Sequence, residues 1–119
     1  RVIEGFMAQT GDVQFGTQAQ YGGGSAGRGG SDMPDLPAEF SEITFDRGVV
    51  GMARAQSPNS ANSQFFIMFD DGHFLNGQYT VVGRVTGGMD IVDAIKRGDG
   101  PNGSVVSAPD VMRTVTASE

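Results

Sequence analysis

Few residues in this 119-residue chain are of types that make or break covalent bonds. Cysteine is absent, which excludes a thiolate nucleophile, a disulfide framework and a cysteine-ligated metal site. His73 is the single histidine, with no second histidine or cysteine to share a metal or a proton relay, so it reads as a loop histidine. Asp70-Asp71-Gly72 lacks the alternating ligands of a calcium loop and reads as a turn. The glycines between residues 16 and 37 are not followed by Gly-Lys-Ser/Thr, so they form no phosphate cradle. The remaining candidates are noncovalent: an arginine, a planar and permanently charged donor, and a group of aromatic and amide side chains. From composition alone Arg1 is an ordinary surface arginine, and the residue pattern by itself assigns no reaction.

The elements that would position these groups are mostly strands. Residues 64–69 (QFFIMF) form the strongest strand pattern, apolar on both faces, so both faces should be covered. Alternation places Gln64, Phe66 and Met68 on one face and Phe65, Ile67 and Phe69 on the other. Residues 1–9 read as a strand entering a turn at Thr10-Gly11-Asp12, 48–53 as a buried strand, and 80–86 and 111–117 as further strands. Residues 39–45 suit a short strand or a turn. The Gly/Pro-punctuated stretches 16–37 and 99–109 and the Pro/Asn/Ser-rich 56–63 are loops. A loop as long as the first is unusual inside a compact domain and is often functional. One helix is expected over 89–97, with Ile91, Val92 and Ile95 as its apolar stripe, Asp90 in its first turn, Lys96 and Arg97 in its last, and Gly98 as its cap. The sum is one mostly-β domain, a barrel or sandwich with a packed helix.

The formal net charge is −6 and the pI about 4.5. An acidic chain without a Lys/Arg cluster is a poor partner for nucleic acid or an anionic membrane. No apolar run is long enough to span a bilayer as a helix.

Three segments together resemble the cyclophilins: RVIEGFMAQTGD at 1–12, GVVGMARAQSPNSANSQFFIMF at 48–69 and HFLNGQYTVVGRV at 73–85. Their order and spacing are specific, the likeness covers nearly the whole chain, and the loop wording resembles bacterial members. In that setting Asn102-Gly103-Ser104, which fits a glycosylation tripeptide, carries little weight. The resemblance implies a closed antiparallel β-barrel with helices at its ends. It also implies two strands, a helix and a Phe-His pair ahead of Arg1. Without them the barrel is incomplete at its N-terminus, with open strand edges. Either that segment precedes Arg1 or a second chain or fragment completes the barrel, or else the chain is an engineered or proteolytic truncation.

The resemblance further implies a peptidyl-prolyl cis/trans isomerase acting on peptides and unfolded chains, without cofactor or metal. Arg1 would be the catalytic donor and Gln9 the residue that orients it. Phe6, Met7, Gln64 and Phe66 would build the proline pocket, with Phe66 as its floor, and Phe74, Leu75 and Tyr79 its far wall. Ala53 and Arg54 would pair through their backbone with the residue before proline. Three positions depart from the family pattern. Arg54 stands where asparagine is usual, and Phe74 and Tyr79 stand where many members have tryptophan and histidine. Loss of the indole N–H at Phe74 predicts weak cyclosporin binding with activity retained. A proline-directed binding module without turnover is the alternative, and an unrelated small barrel with an enclosed apolar cavity is a third reading. The cytoplasm is the expected compartment, with the periplasm as the other option.

Overall fold

The computed structural model describes residues 1–119. Five short strands, β1 (Val2–Ile3), β2 (Met7–Thr10), β3 (Val49–Met52), β4 (Phe65–Met68) and β5 (Val81–Arg84), form one antiparallel sheet in the order β1-β2-β4-β3-β5. The strongest strand pattern thus lies at the centre, where a strand apolar on both faces belongs. The sheet does not close: β1 and β5 are its two edges.

Register carries the alternation across the sheet. Gln9 and Gly51 flank Phe66, Met7 pairs with Met68, and Ala8 and Val50 flank Ile67. On the Phe66 face, Met7, Phe45, Val49, Phe66, Met68 and Leu75 form the main core. On the other face a smaller cluster of Val2, Ala8 and Phe69 is packed by Val92, Ile95 and Val105. Phe65, Ile67, Val50 and Met52 on that second face stay only half-buried.

Several sequence expectations are corrected. Residues 1–9 are two strands, because Gly5 (φ 69°) turns the chain and Phe6 N–H closes the turn on Ile3 O at 3.0 Å. The turn brings Phe6 back beside the sheet. Residues 39–45 form no strand, and 111–117 form none either: no backbone bond joins the latter to the sheet, and Val111, Met112 and Val115 are exposed. A β-branched run becomes a strand only where a neighbour offers a ladder. The helix α1 spans only Met89–Asp93, with Ala94 as its C-cap, and Ile91 is 71% exposed. Gly98 does not cap it; its N–H donates to Val2 O at 2.7 Å, fastening the following loop to β1.

The long loop between β2 and β3 is ordered by side chains in place of a ladder, as buried backbone donors require. Asn62 Oδ1 accepts Ser31 N–H at 2.7 Å, Asn59 Oδ1 accepts Ala38 N–H at 2.9 Å, and Asn76 Oδ1 accepts Phe45 N–H at 2.7 Å. This last bond seats Phe45, fully buried, beneath the central strands.

Candidate active site

On the Phe66 face a surface groove of about 150 Å³ is lined by Arg1, Phe6, Met7, Gln9, Ala53, Arg54, Phe66, Leu75 and Tyr79. All nine are among the eleven residues singled out from the sequence. Gln64 stands behind the groove and Phe74 at its rim, 71% exposed, its ring tilted 43° against Phe6 at 5.4 Å. The groove opens outward and is not an enclosed barrel cavity.

Its floor is rigid. Phe66 is 5% exposed, stacks on Phe45 with centroids 5.6 Å apart, and meets the Tyr79 ring edge-on at 5.7 Å. Offset and edge-on arrangements are the favoured ones for aromatic rings. Met7 and Leu75, both buried, close the floor on either side.

The polar edge is a chain of amides. Arg1 Nη1 lies 3.5 Å from Gln9 Oε1; Gln9 Nε2 donates to Gln64 Oε1 at 3.0 Å; Gln64 Nε2 donates to Gly27 O and Gly29 O, both at 2.9 Å. Two carbonyl acceptors at the far end leave only one sense for both amides, so Gln9 must turn its oxygen toward the guanidinium. Gln64 therefore acts by holding Gln9. The arginine backbone is anchored as well, with Arg1 O accepting Gln9 N–H at 2.7 Å.

Gly27 and Gly29 are held in turn by Asp12, which alternation and spacing did not single out. Its Oδ1 accepts Gln14 N–H and Phe15 N–H at 3.0 and 2.8 Å, and its Oδ2 accepts Gly27 N–H and Gly29 N–H at 2.8 and 3.0 Å. Burial pushes the carboxyl pKa up, but those four backbone donors outweigh it and leave the pKa below the usual carboxylate value.

At the opposite edge, Ala53 N–H is used by Gln64 O at 3.0 Å, while Arg54 N–H and C=O have no partner in the chain. The Arg54 side chain has a structural task that the sequence did not reveal. It donates to Gln78 O at 2.8 Å and to Ala55 O and Gln56 O at 3.1 Å, and lies 4.6 Å over the Tyr79 ring. It thereby ties the groove's edge to its far wall.

Two other features lie apart. A shallow recess of about 450 Å³ between Asp46, Arg47 and Arg84 shares no residue with the groove and has no aromatic floor. His73, in a 3₁₀ turn (His73–Leu75), bonds Asp46 at 2.7 Å; their ligating atoms and that of Asp71 lie within 4.8 Å of one another, all three residues exposed. Hydrogen bonding to His73 is the main reason Asp46 titrates below its ordinary value.

The groove thus combines an external apolar floor, unpaired backbone groups at one edge and an oriented guanidinium at the other. Comparison with known proteins places it further. The family described as "Cyclophilin type peptidyl-prolyl cis-trans isomerase/CLD" matches residues 1–117. A "probable peptidyl-prolyl cis-trans isomerase" of Brucella abortus is 65% identical over 117 residues, covering 98% of this chain and 60% of its own length. A rat "peptidyl-prolyl cis-trans isomerase-like 3" is 40% identical over 101 residues, 82% of this chain and 56% of the relative. Among solved structures, a cyclophilin from Hirschia baltica matches with TM-score 0.67 at 26% identity, covering 90% of this chain and 56% of that one. A Cryptosporidium parvum cyclophilin type isomerase, determined in the presence of the dipeptide Ala-Pro, matches with TM-score 0.67 at 29% identity, covering 88% and 65%. The chain belongs to the cyclophilin-type peptidyl-prolyl cis-trans isomerase family, and it spans about 60% of the length of the Brucella relative.

Proposed function

We propose that this groove catalyses rotation about X-Pro bonds in peptides and unfolded chains, and so speeds slow folding steps. The barrier, about 18–20 kcal/mol, comes from partial double-bond character of the amide C–N bond. No covalent bond is made or broken, so no general base, metal or cofactor is needed. In the twisted state the prolyl nitrogen regains its lone pair and can accept a hydrogen bond. A fixed donor that is better placed for this state than for either planar isomer lowers the barrier.

The observation that carries the reading is the pairing of the Phe66 floor with the Arg1 guanidinium at one groove. The ring of proline would lie on Phe66, Met7 and Leu75. Arg54 N–H and C=O would pair with the residue before proline, and Arg1 would supply the donor. Loss of the indole at Phe74 supports weak cyclosporin binding. The unpaired edges of β1 and β5, with Val82 56% exposed and a half-buried apolar second face, support completion of the barrel by a further segment or chain.

The test is NMR exchange between the cis and trans forms of an X-Pro peptide with the chain present at catalytic amount. Acceleration by the parent, lost by roughly two orders of magnitude in Arg1→Ala, is the expected result. A folded parent that shifts the isomer ratio by binding but leaves the exchange rate unchanged would establish a proline-directed binding module instead.

A further inference from the structure

We propose that Asn102 is the residue that positions the Arg1 guanidinium at the groove; only the catalytic consequence of this assignment rests on the isomerase reading. Arg1 stands next to a two-residue edge strand and its side chain is exposed. An arginine so placed samples many rotamers unless its guanidinium is held. The Gln9 contact, at 3.5 Å, is at the limit of a hydrogen bond. Asn102 does more. Its backbone carbonyl accepts from Nε at 2.8 Å and its side-chain Oδ1 accepts from Nη2 at 2.9 Å. Two acceptors on one residue thus meet one edge of the planar fork, a bidentate arrangement that fixes its plane as well as its position. The donors of Nη1, on the other side, remain for Gln9 and an incoming chain.

The loop that carries Asn102 is built for this placement. Asn102 has φ 56° and ψ 31°, the left-handed region, which asparagine tolerates better than other side-chain-bearing residues. Gly98 N–H ties the loop to Val2 O. Asp99 N–H and Gly100 N–H close it on Ser104 O at 3.0 and 2.8 Å. At Gly103 a Cβ would come within 2.6 Å of the Ile3 side chain and 3.3 Å of Val2 O, so the loop lies against β1 more closely than a side chain would permit. These contacts are independent of the Arg1 bonds and set Asn102 opposite the guanidinium.

The experiment compares the 119-residue parent with Asn102→Gly and Asn102→Asp. Glycine keeps the left-handed backbone and the carbonyl acceptor and deletes only Oδ1; aspartate restores an oxygen there. The readouts are rotation about the Arg1 Cζ–Nε bond, followed on ¹⁵N-labelled protein with the signal assigned by its loss in Arg1→Lys, and kcat and KM for X-Pro exchange. The expected result is slow rotation in the parent, about tenfold faster in Asn102→Gly, with kcat about tenfold lower, KM within about twofold, and both recovered in Asn102→Asp. Unchanged rotation in a folded Asn102→Gly would overturn the assignment. A raised KM at unchanged kcat would overturn it too, since it would mark Asn102 as a substrate contact. An inactive parent whose guanidinium rotation is slow and is released by Asn102→Gly would uphold the assignment and sink the isomerase reading.

Discussion

Gly51 gives a sharp test of how the groove floor is built, because two opposing effects of known size meet there. It is buried in β3, directly across from Phe66, with the Phe45 ring beside it. Replacing glycine by alanine at an unstrained position stabilises by about 0.4–1 kcal/mol, through the unfolded chain. Here, however, the new Cβ would lie 2.6 Å from both the Phe45 and Phe66 rings. That is short of normal carbon–carbon contact by about 1 Å. The backbone cannot retreat, since β3 is paired with both β4 and β5, and Phe45 is fully buried. Overpacking of this kind costs about 1–3 kcal/mol, so overpacking wins and Gly51→Ala should destabilise by roughly 1–2 kcal/mol net. The melting midpoint should fall by about 4–8 °C. The ring with room to move is Phe66, toward the groove, so affinity for a proline peptide should fall as well. Gly83→Ala is the control: it lies one strand over, its Cβ would meet nothing within 4 Å, and its midpoint should not drop. Urea and thermal unfolding of both variants, with peptide titration, decide the matter. A Gly51→Ala protein as stable as the parent would refute the picture of a floor packed to its limit.

The remaining predictions concern the loop and the rim. Asp12 has a carboxyl pKa depressed in the folded state, so its contribution to stability is present above the ordinary value of 3.8 and is lost as pH falls through the lower folded value. Asp12→Asn, which offers one acceptor oxygen where two each take two backbone donors, should cost about 2 kcal/mol at pH 7. That gap from the parent should narrow at pH 3; equal urea-midpoint gaps at both pH values would contradict it. Phe74→Trp should tighten cyclosporin binding about tenfold by restoring an indole N–H, with the exchange rate unchanged. Titration followed by the fluorescence of the new indole reads it, and tight binding by the parent would count against this view of Phe74.

How much of this was legible beforehand depends on the kind of interaction. The central strand and its two faces followed from alternation alone, since Phe66 and Met68 could only share a side. The turn at Gly5 was missed because an apolar run hides a glycine whose positive φ the sequence does not display. The expected strand over 111–117 failed because propensity is local and pairing is not. The groove residues were found through resemblance, not pattern: a run such as QFFIMF looks the same whether it floors a site or fills a core. Asp12, Asn102 and the Arg54 side chain left no signal, because each has a partner distant in sequence: the Gly27 and Gly29 N–H groups for Asp12, the Arg1 guanidinium for Asn102 and Gln78 O for Arg54. Asn102 is 101 residues from the arginine it holds.

The proposed chemistry explains why inspection of residue types gave so little. A reaction that breaks bonds needs nucleophiles, bases or metals, and these announce themselves by type and spacing. Rotation about an amide needs only a surface that fits the twisted state and a donor that does not wander. Both are properties of rigidity. In this chain rigidity is distributed: Phe45 beneath Phe66, Gln64 behind Gln9, Asp12 behind Gln64, and Asn102 beside Arg1. None of these supporting groups needs to touch substrate. Yet each fixes one that would, Asp12 through Gln64 and the others directly, and a shift of about 1 Å in the donor can cost as much as losing a contact. The site is therefore larger than its groove. Substitutions at Gln64, Asp12 and Asn102 should lower kcat before they alter affinity, whereas those at Phe45, Ala53 and Tyr79 should do the reverse.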